Sequence, residues 1–268
     1  MSNFSDFISG GGSASYPTIF LHNSQTWVPP QDGNIMIHVI GAGGSGSAST
    51  NVGQIESGAA GGYCRKNSLA VTTSGSFTVV VGAGGASVIG AAGAGTAGGN
   101  STVAGTGVGS TLTATGGAGG ALAANTYTTG GTASNGDVNY AGGRGGALKG
   151  GGAVGLTGTG IDGGNAGSLY SSFGGRCDIL GDFYSSSLGQ LSGSSGGKGV
   201  YSTYRSYAGD EAVGPLAGGG GMGIMNTIGS AAGHASIGGG GGLCHGNVTT
   251  VLISGRGGEG CVVIQYIL

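Results

Sequence analysis

The sequence predicts an all-β, irregular fold: a bundle of glycine-rich extended segments with a small β-sheet joining the N- and C-terminal parts. Three observations predict it. Glycine supplies 71 of 268 residues, against a usual share of roughly 7%, and it falls in clusters such as Gly41–Gly46, Gly116–Gly120 and Gly238–Gly242. Hydrophobic residues make up 38% and charged residues only 7%, the reverse of a disordered chain. Finally, β-branched and apolar runs occur near both ends of the chain, where they can share a sheet.

Each element follows in order. Phe4, Phe7 and Ile8 sit at the spacing of one helical face and precede Gly10–Gly12, so residues 1–17 read as a leader or docking peptide. Residues 18–268 read as the glycine-rich domain with variable loops. Ile19-Phe20-Leu21, the turn His22-Asn23-Ser24, Trp27-Val28-Pro29-Pro30 and Asn34–Ile40 form a β region. Ser76–Val81 and Cys261–Leu268 are the other strong strand runs. Between them, glycine clusters recur at irregular distances without a Gly-X-Y period, which excludes collagen. Each cluster suits a polyglycine-II-like segment, with three residues per turn and no internal hydrogen bonds, so N–H and C=O groups point sideways to neighbours.

Composition also narrows function. A formal net charge of −2 gives no basis for binding nucleic acid. No charged residue occurs from Asn67 through Gly136. No export signal or apolar membrane span is visible. Cys64, Cys177, Cys244 and Cys261 are too scattered for a zinc motif and read as small buried thiols.

Chemical motifs are weak. Gly41-Ala42-Gly43-Gly44-Ser45-Gly46 after a strand has the form of a dinucleotide fingerprint, but it lacks the following helical pattern and a well-placed acid. The Gly-x-Ser-x-Gly at Gly193–Gly197 has neither strand before it nor helix after it, so Ser195 is not offered as a nucleophile. Lys149 and Lys198 do not complete a phosphate-binding loop, and Asp178, Asp182, Asp210 and Glu211 read as loop charges. His38 alternates with Met36 and Ile40 and reads as structural. The expectation is a non-enzyme with no catalytic residues, metal or cofactor.

The stretch 162–211 is different. It holds Tyr170, Tyr184, Tyr201, Tyr204 and Tyr207, half of the ten tyrosines, with Phe173, Phe183 and eight of the eighteen charges. Aromatic rings among serine and glycine make a contact surface of the paratope kind. Tyr170, Phe173, Arg176, Tyr184, Tyr201, Tyr204, Arg205 and Tyr207 are therefore the candidate receptor-binding residues. Tyr127 and Tyr140, flanking Thr128–Asn139, form a second candidate loop.

The segment Ile19–Gly46, IFLHNSQTWVPPQDGNIMIHVIGAGGSG, resembles the opening of the glycine-rich domain of phage tail and fibre proteins. Gly61-Gly62-Tyr63-Cys64, Phe77–Val81 running into Gly82-Ala83-Gly84-Gly85, and Gly255–Ile264 resemble its later landmarks, so that the likeness covers about residues 18–268. The pattern is also similar to the tip adhesins of T-even-like phage long tail fibres, which implies polyglycine-II helices with host-recognition loops at one end. It further implies a virion location, a bacterial outer-surface protein or glycan as partner, and, as fibres are often trimeric, a homotrimer; Phe4, Phe7 and Ile8 of the leader are the candidate docking contacts to other virion proteins. A purely structural virion protein, an ice-binding surface and a glycan-cleaving fibre enzyme are the competing expectations.

Overall fold

The computed structural model describes residues 17–50, 55–122, 127–146, 237–246 and 251–267. It also describes shorter stretches at 152, 154, 158–160, 162, 164–166, 171–173, 200–202, 223–225, 230–232 and 235. Among these residues there is no helix. Two five-stranded sheets face each other at one end of the molecule. The first runs Thr18–Leu21, Cys261–Ile267, Gly33–Ile40, Tyr63–Val71, Val138–Tyr140, and the second Ala133–Ser134, Leu112–Ala114, Ser101–Gly105, Phe77–Val80, Gln25–Trp27. The N- and C-terminal parts meet as expected: Ile19 pairs with Ile264, and Ile37 pairs with Ile264 from the other side. Every pairing in these two sheets is antiparallel.

Strand alternation explains the packing. Ile35, Ile37 and Val39 turn one face of their strand inward to meet Val262, Ile264, Leu69, Phe77, Val103 and Leu112. Trp27 packs on Phe77 with ring centroids 5.4 Å apart. The opposite face of the first sheet carries Ile40, Tyr63 and Val263, packed with Val154 and Ala60. His38 is fully buried there, with Nδ1 2.7 Å from the Tyr63 hydroxyl and Nε2 3.1 Å from Gln265 Oε1.

Sandwich strands continue directly into glycine segments. Gly33–Ile40 runs into 41–48, Phe77–Val80 into 82–88 and Leu112–Ala114 into 115–120; 55–62, 93–99 and 255–260 lead back into the strands that follow them. Segment 41–48 shows how they hold together. Its N–H groups at Gly41, Gly44 and Ser47 donate to Gly62, Ala59 and Glu56, those at Ala42, Ser45 and Ala48 to Gly99, Thr96 and Gly93, and those at Gly43 and Gly46 to Gly258 and Gly255. Every third residue therefore meets the same neighbour, the period of polyglycine II. Its carbonyls at Ala42 and Ser45 accept from Gly117 and Gly120, those at Gly44 and Ser47 from Gly241 and Cys244, and that at Gly43 from Gly85. Six neighbours thus surround one segment.

Segment 55–62 repeats the arrangement. Ser57 and Ala60 donate to Gly146 and Gly143, Gly58 and Gly61 to Gly241 and Gly238, and Ala59 and Gly62 to Ala118 and Thr115. The adjacencies are those of a hexagonal lattice three layers deep. Segments 93–99, 115–120 and 128–132 form one layer; 82–88, 41–48, 55–62 and 141–146 form the middle; 254–260, 238–244 and Gly152 form the third. Side-chain oxygens fill positions where a carbonyl is lacking: Ser57 Oγ accepts from the Leu243 N–H and Ser101 Oγ from the Gly82 N–H.

Such spacing leaves no room for side chains. A Cβ on Gly46 would collide with the Gly242 carbonyl, and one on Gly58 with the Gly44 carbonyl. Gly158, by contrast, has nothing within 4 Å of where a Cβ would stand. Gly46→Ala is expected to lower stability by at least about 2 kcal/mol through overpacking. Gly158→Ala is expected to be neutral or stabilising by up to about 1 kcal/mol, because it restricts only the unfolded chain. Thermal unfolding of the two variants beside wild type checks both.

Candidate functional site

Because segments 41–48, 82–88, 115–120 and 238–244 run away from the sandwich and each is followed by a segment that runs back, the chain must reverse at the far end of the bundle. It does so between 49 and 55, 88 and 93, 121 and 127, and 246 and 251. Register fixes these turns together: Ala48 bridges Gly93, Gly120 donates to Ser45, Ser57 donates to Gly146, and Tyr127 bridges Gly146. Leu252 and Ile253 pair with Gly90 and Ile89.

Four large hydrophobic side chains are exposed at this distal end. Ile89 and Val251 are 70% and 56% exposed, and Leu122 and Tyr127 are also open to solvent. A hydrophobic residue costs free energy in water, and grouped exposure marks a contact surface more often than scattered exposure does. A short sheet extends from the same end. Ala48–Ser49, Cys244–His245, Gly223–Met225 and Val200–Ser202 lie side by side, all parallel, so that Ser49, His245, Ile224 and Tyr201 stand in one register row. Burial holds the His245 imidazole below its ordinary pKa range, and Nδ1 lies 3.1 Å from the Ser49 carbonyl.

The backbone therefore carries Tyr201 to the distal end. Phe173 lies on the Ser171–Phe173 strand, paired with Gly164–Ala166, and that strand neighbours Val200–Ser202. Two of the sequence-selected receptor residues are thus on adjacent strands. Tyr170, Arg176, Tyr184, Tyr204, Arg205 and Tyr207 lie outside the described residues, as do Phe4, Phe7 and Ile8.

The second candidate loop is corrected by the structure. Thr128–Asn139 is a lattice segment followed by strand residues, not a loop, and its two tyrosines go to opposite ends. Tyr140 pairs with Tyr63 in the sandwich, their rings stacked at 6.2 Å, while Tyr127 stays distal. Ile89, Leu122 and Val251 were not singled out from sequence. The available signal was their position in the short stretches that join two glycine clusters without a strand run between them.

Chemical groups elsewhere are occupied. Gly41–Gly46, the fingerprint-like run, is buried, and each of its N–H groups donates to a carbonyl of another segment, so no amide there can cradle a phosphate. Among the described residues no group of three or more His, Cys, Asp or Glu is placed to hold a metal ion. No helix there is long and apolar enough to cross a membrane. Cys64 and Cys261 are free, buried thiols, Cys244 is buried, and Cys177 lies outside the described residues.

A model of the glycine-rich domain family matches residues 20–267. No curated protein matches the chain.

Burial pushes the Cys64 and Cys261 thiols up to about 12. Since the thiolate is the nucleophile, each is expected to react at pH 8 roughly a thousandfold less than a free cysteine with a pKa near 8.5. Iodoacetamide should leave both unmodified in the native protein and alkylate both in denaturant, as read by peptide mass spectrometry.

Proposed function

The chain belongs to the glycine-rich domain family, and on that footing we propose that it is a phage virion fibre or tail-tip protein that recognises a bacterial surface receptor through loops carried at the distal end of the bundle. The single observation that carries the reading is polarity. The strands that bring the chain in and out, Thr18–Leu21 and Cys261–Ile267, pair in the sandwich, whereas the reversals, exposed Ile89, Leu122, Tyr127 and Val251, and the strand holding Tyr201 gather at the other end.

Such a layout suits adhesion without covalent chemistry. Aromatic and aliphatic side chains supply contact area, and neighbouring Ser, Gly and Asn supply adaptable hydrogen bonds. The partner is a bacterial outer-surface protein or glycan, and residues 1–17 dock the protein to the particle.

A second reading, a structural virion component without receptor binding, draws on one flat face. The outward positions of the first layer are Ala94, Ala97, Thr129 and Thr132, exposed, small and uncharged, with Thr115 and Ala118 between them. A face of that kind suits side-by-side packing.

Adsorption separates the two. Fluorescently labelled protein is incubated with a panel of bacterial strains, beside a variant with residues 168–207 replaced by a short linker and shown by thermal unfolding to stay folded. Saturable, strain-specific binding that falls at least tenfold in the variant is the expected outcome. Binding to no strain would favour the structural component.

A further inference from the structure

We propose that Arg144, Asp162 and Tyr127 form a clamp that fixes the root of the aromatic-rich stretch 162–211 to the flank of the bundle. Its consequence for adhesion rests on the function proposed above; the clamp itself does not.

Arg144 lies in segment 141–146, at the edge of the middle layer among the described residues. The Gly142 N–H donates to Gly131, and the Ala141 carbonyl accepts from Gly160 at 2.7 Å. Two residues beyond Gly160 the Asp162 carboxylate takes the place of a lattice carbonyl: Oδ1 accepts the Arg144 backbone N–H at 2.7 Å. Its Oδ2 accepts from the guanidinium of the same residue, Nε at 3.0 Å and Nη2 at 2.8 Å. The guanidinium carbon stands 4.6 Å from the centroid of the Tyr127 ring. One carboxylate is therefore held by main chain and side chain together, and its cationic partner is held by an aromatic face.

Placement gives this cluster its role. Asp162 is the first residue of the aromatic-rich stretch, and the Gly164–Ala166 strand that pairs with Ser171–Phe173 begins two residues later. Lys66 with Asp137, beside the sandwich, and Arg256 with Glu259, inside one glycine segment, are ion pairs of a different placement. Arg144 with Asp162 joins the start of 162–211 to the lattice. An exposed ion pair alone contributes little. Here the planar guanidinium fork, the main-chain bond and the cation–π contact act on one residue, and lysine could not reproduce the fork. Arg144 is a positioning residue in this account.

Limited trypsinolysis reads the clamp directly, since Arg176, Lys198 and Arg205 lie within the stretch. Cleavage after these three residues is followed by mass spectrometry in wild type, Arg144→Gln, Asp162→Asn and the double variant, with Arg256→Gln as control. Cleavage about three- to tenfold faster in each single variant is expected. The double variant should fall short of the product of the singles, since both disrupt the same guanidinium–carboxylate fork, and Arg256→Gln should match wild type. Unchanged cleavage, or effects of the two singles that multiply in the double, overturns the clamp. Wild type at 0.05 M and 1 M NaCl, normalised to a free peptide substrate, gives a second reading that needs no variant: a clamp predicts faster cleavage at high salt, and equal rates count against it. Adsorption of the same variants to the strain panel is scored separately. Wild type that adsorbs to no strain overturns the adhesin reading while the proteolysis still decides the clamp.

Discussion

The rest of the structure depends on one constraint: a buried backbone N–H or C=O must be paired. In 41–48 and 55–62 the pairing partners lie on every side, so the three-residue period of the segment hands successive N–H groups to three different neighbours. Each such bond contributes only about 1 kcal/mol net, but leaving one unmade costs the full desolvation of the group. The lattice is therefore cooperative, because displacing one segment leaves the amides of several others without partners. Glycine is required by distance rather than by turn geometry; at Gly43, Gly58 and Gly117 the space for a Cβ is occupied by another segment's carbonyl.

A lattice of bare backbone buries little apolar surface, so it lacks the usual driving force for collapse. The sandwich supplies it. Trp27, Ile35, Ile37, Phe77, Leu112 and Ile264 form a conventional side-chain core, and the strands that bear them lead straight into the glycine segments. Strand pairing also sets register. Ile40 opposite Tyr63 in the sheet places Gly41 opposite Gly62 in the bundle, and the sums of paired positions stay constant through Gly44 with Ala59 and Ser47 with Glu56. A one-residue slip would put alanine or serine where only hydrogen fits.

Sequence reasoning reaches the first half of this architecture. The runs at Asn34–Ile40, Ser76–Val81 and Cys261–Leu268 are β-branched and continuous, and they emerge as strands. Ser101–Gly105 and Leu112–Ala114 are harder to see. Their Val103 and Leu112 are fully buried, but Thr, Ala and Gly around them resemble the neighbouring bundle segments. Which glycine run touches which is not legible at all, since glycine carries no side-chain label and the pairing of Gly43 with Gly258 spans most of the chain. Composition does mark 162–211 as unlike the lattice, and register carries its Tyr201 to the distal end. The same reasoning groups Tyr127 with Tyr140 because they are close in sequence, although a glycine segment between them spans the bundle.

The hydrogen-bond rule also separates the parts of the chain that can vary from those that cannot. Within a lattice segment, inserting one residue shifts the period by a third of a turn and redirects every later N–H to the wrong neighbour. A reversal lies outside the three-residue period, so an insertion there redirects no lattice N–H, and the closure entropy rises only slowly with loop length. Charge is uneven along the chain. Asn67 through Gly136, which supplies four of the lattice segments, carries none, whereas 162–211 carries eight charged residues. Arg144 and Asp162 stand where the lattice meets 162–211, and there the Arg144 N–H is met by a side chain instead of a carbonyl. A scaffold that specifies itself through its main chain leaves its side chains free to be spent at the end where the chain turns.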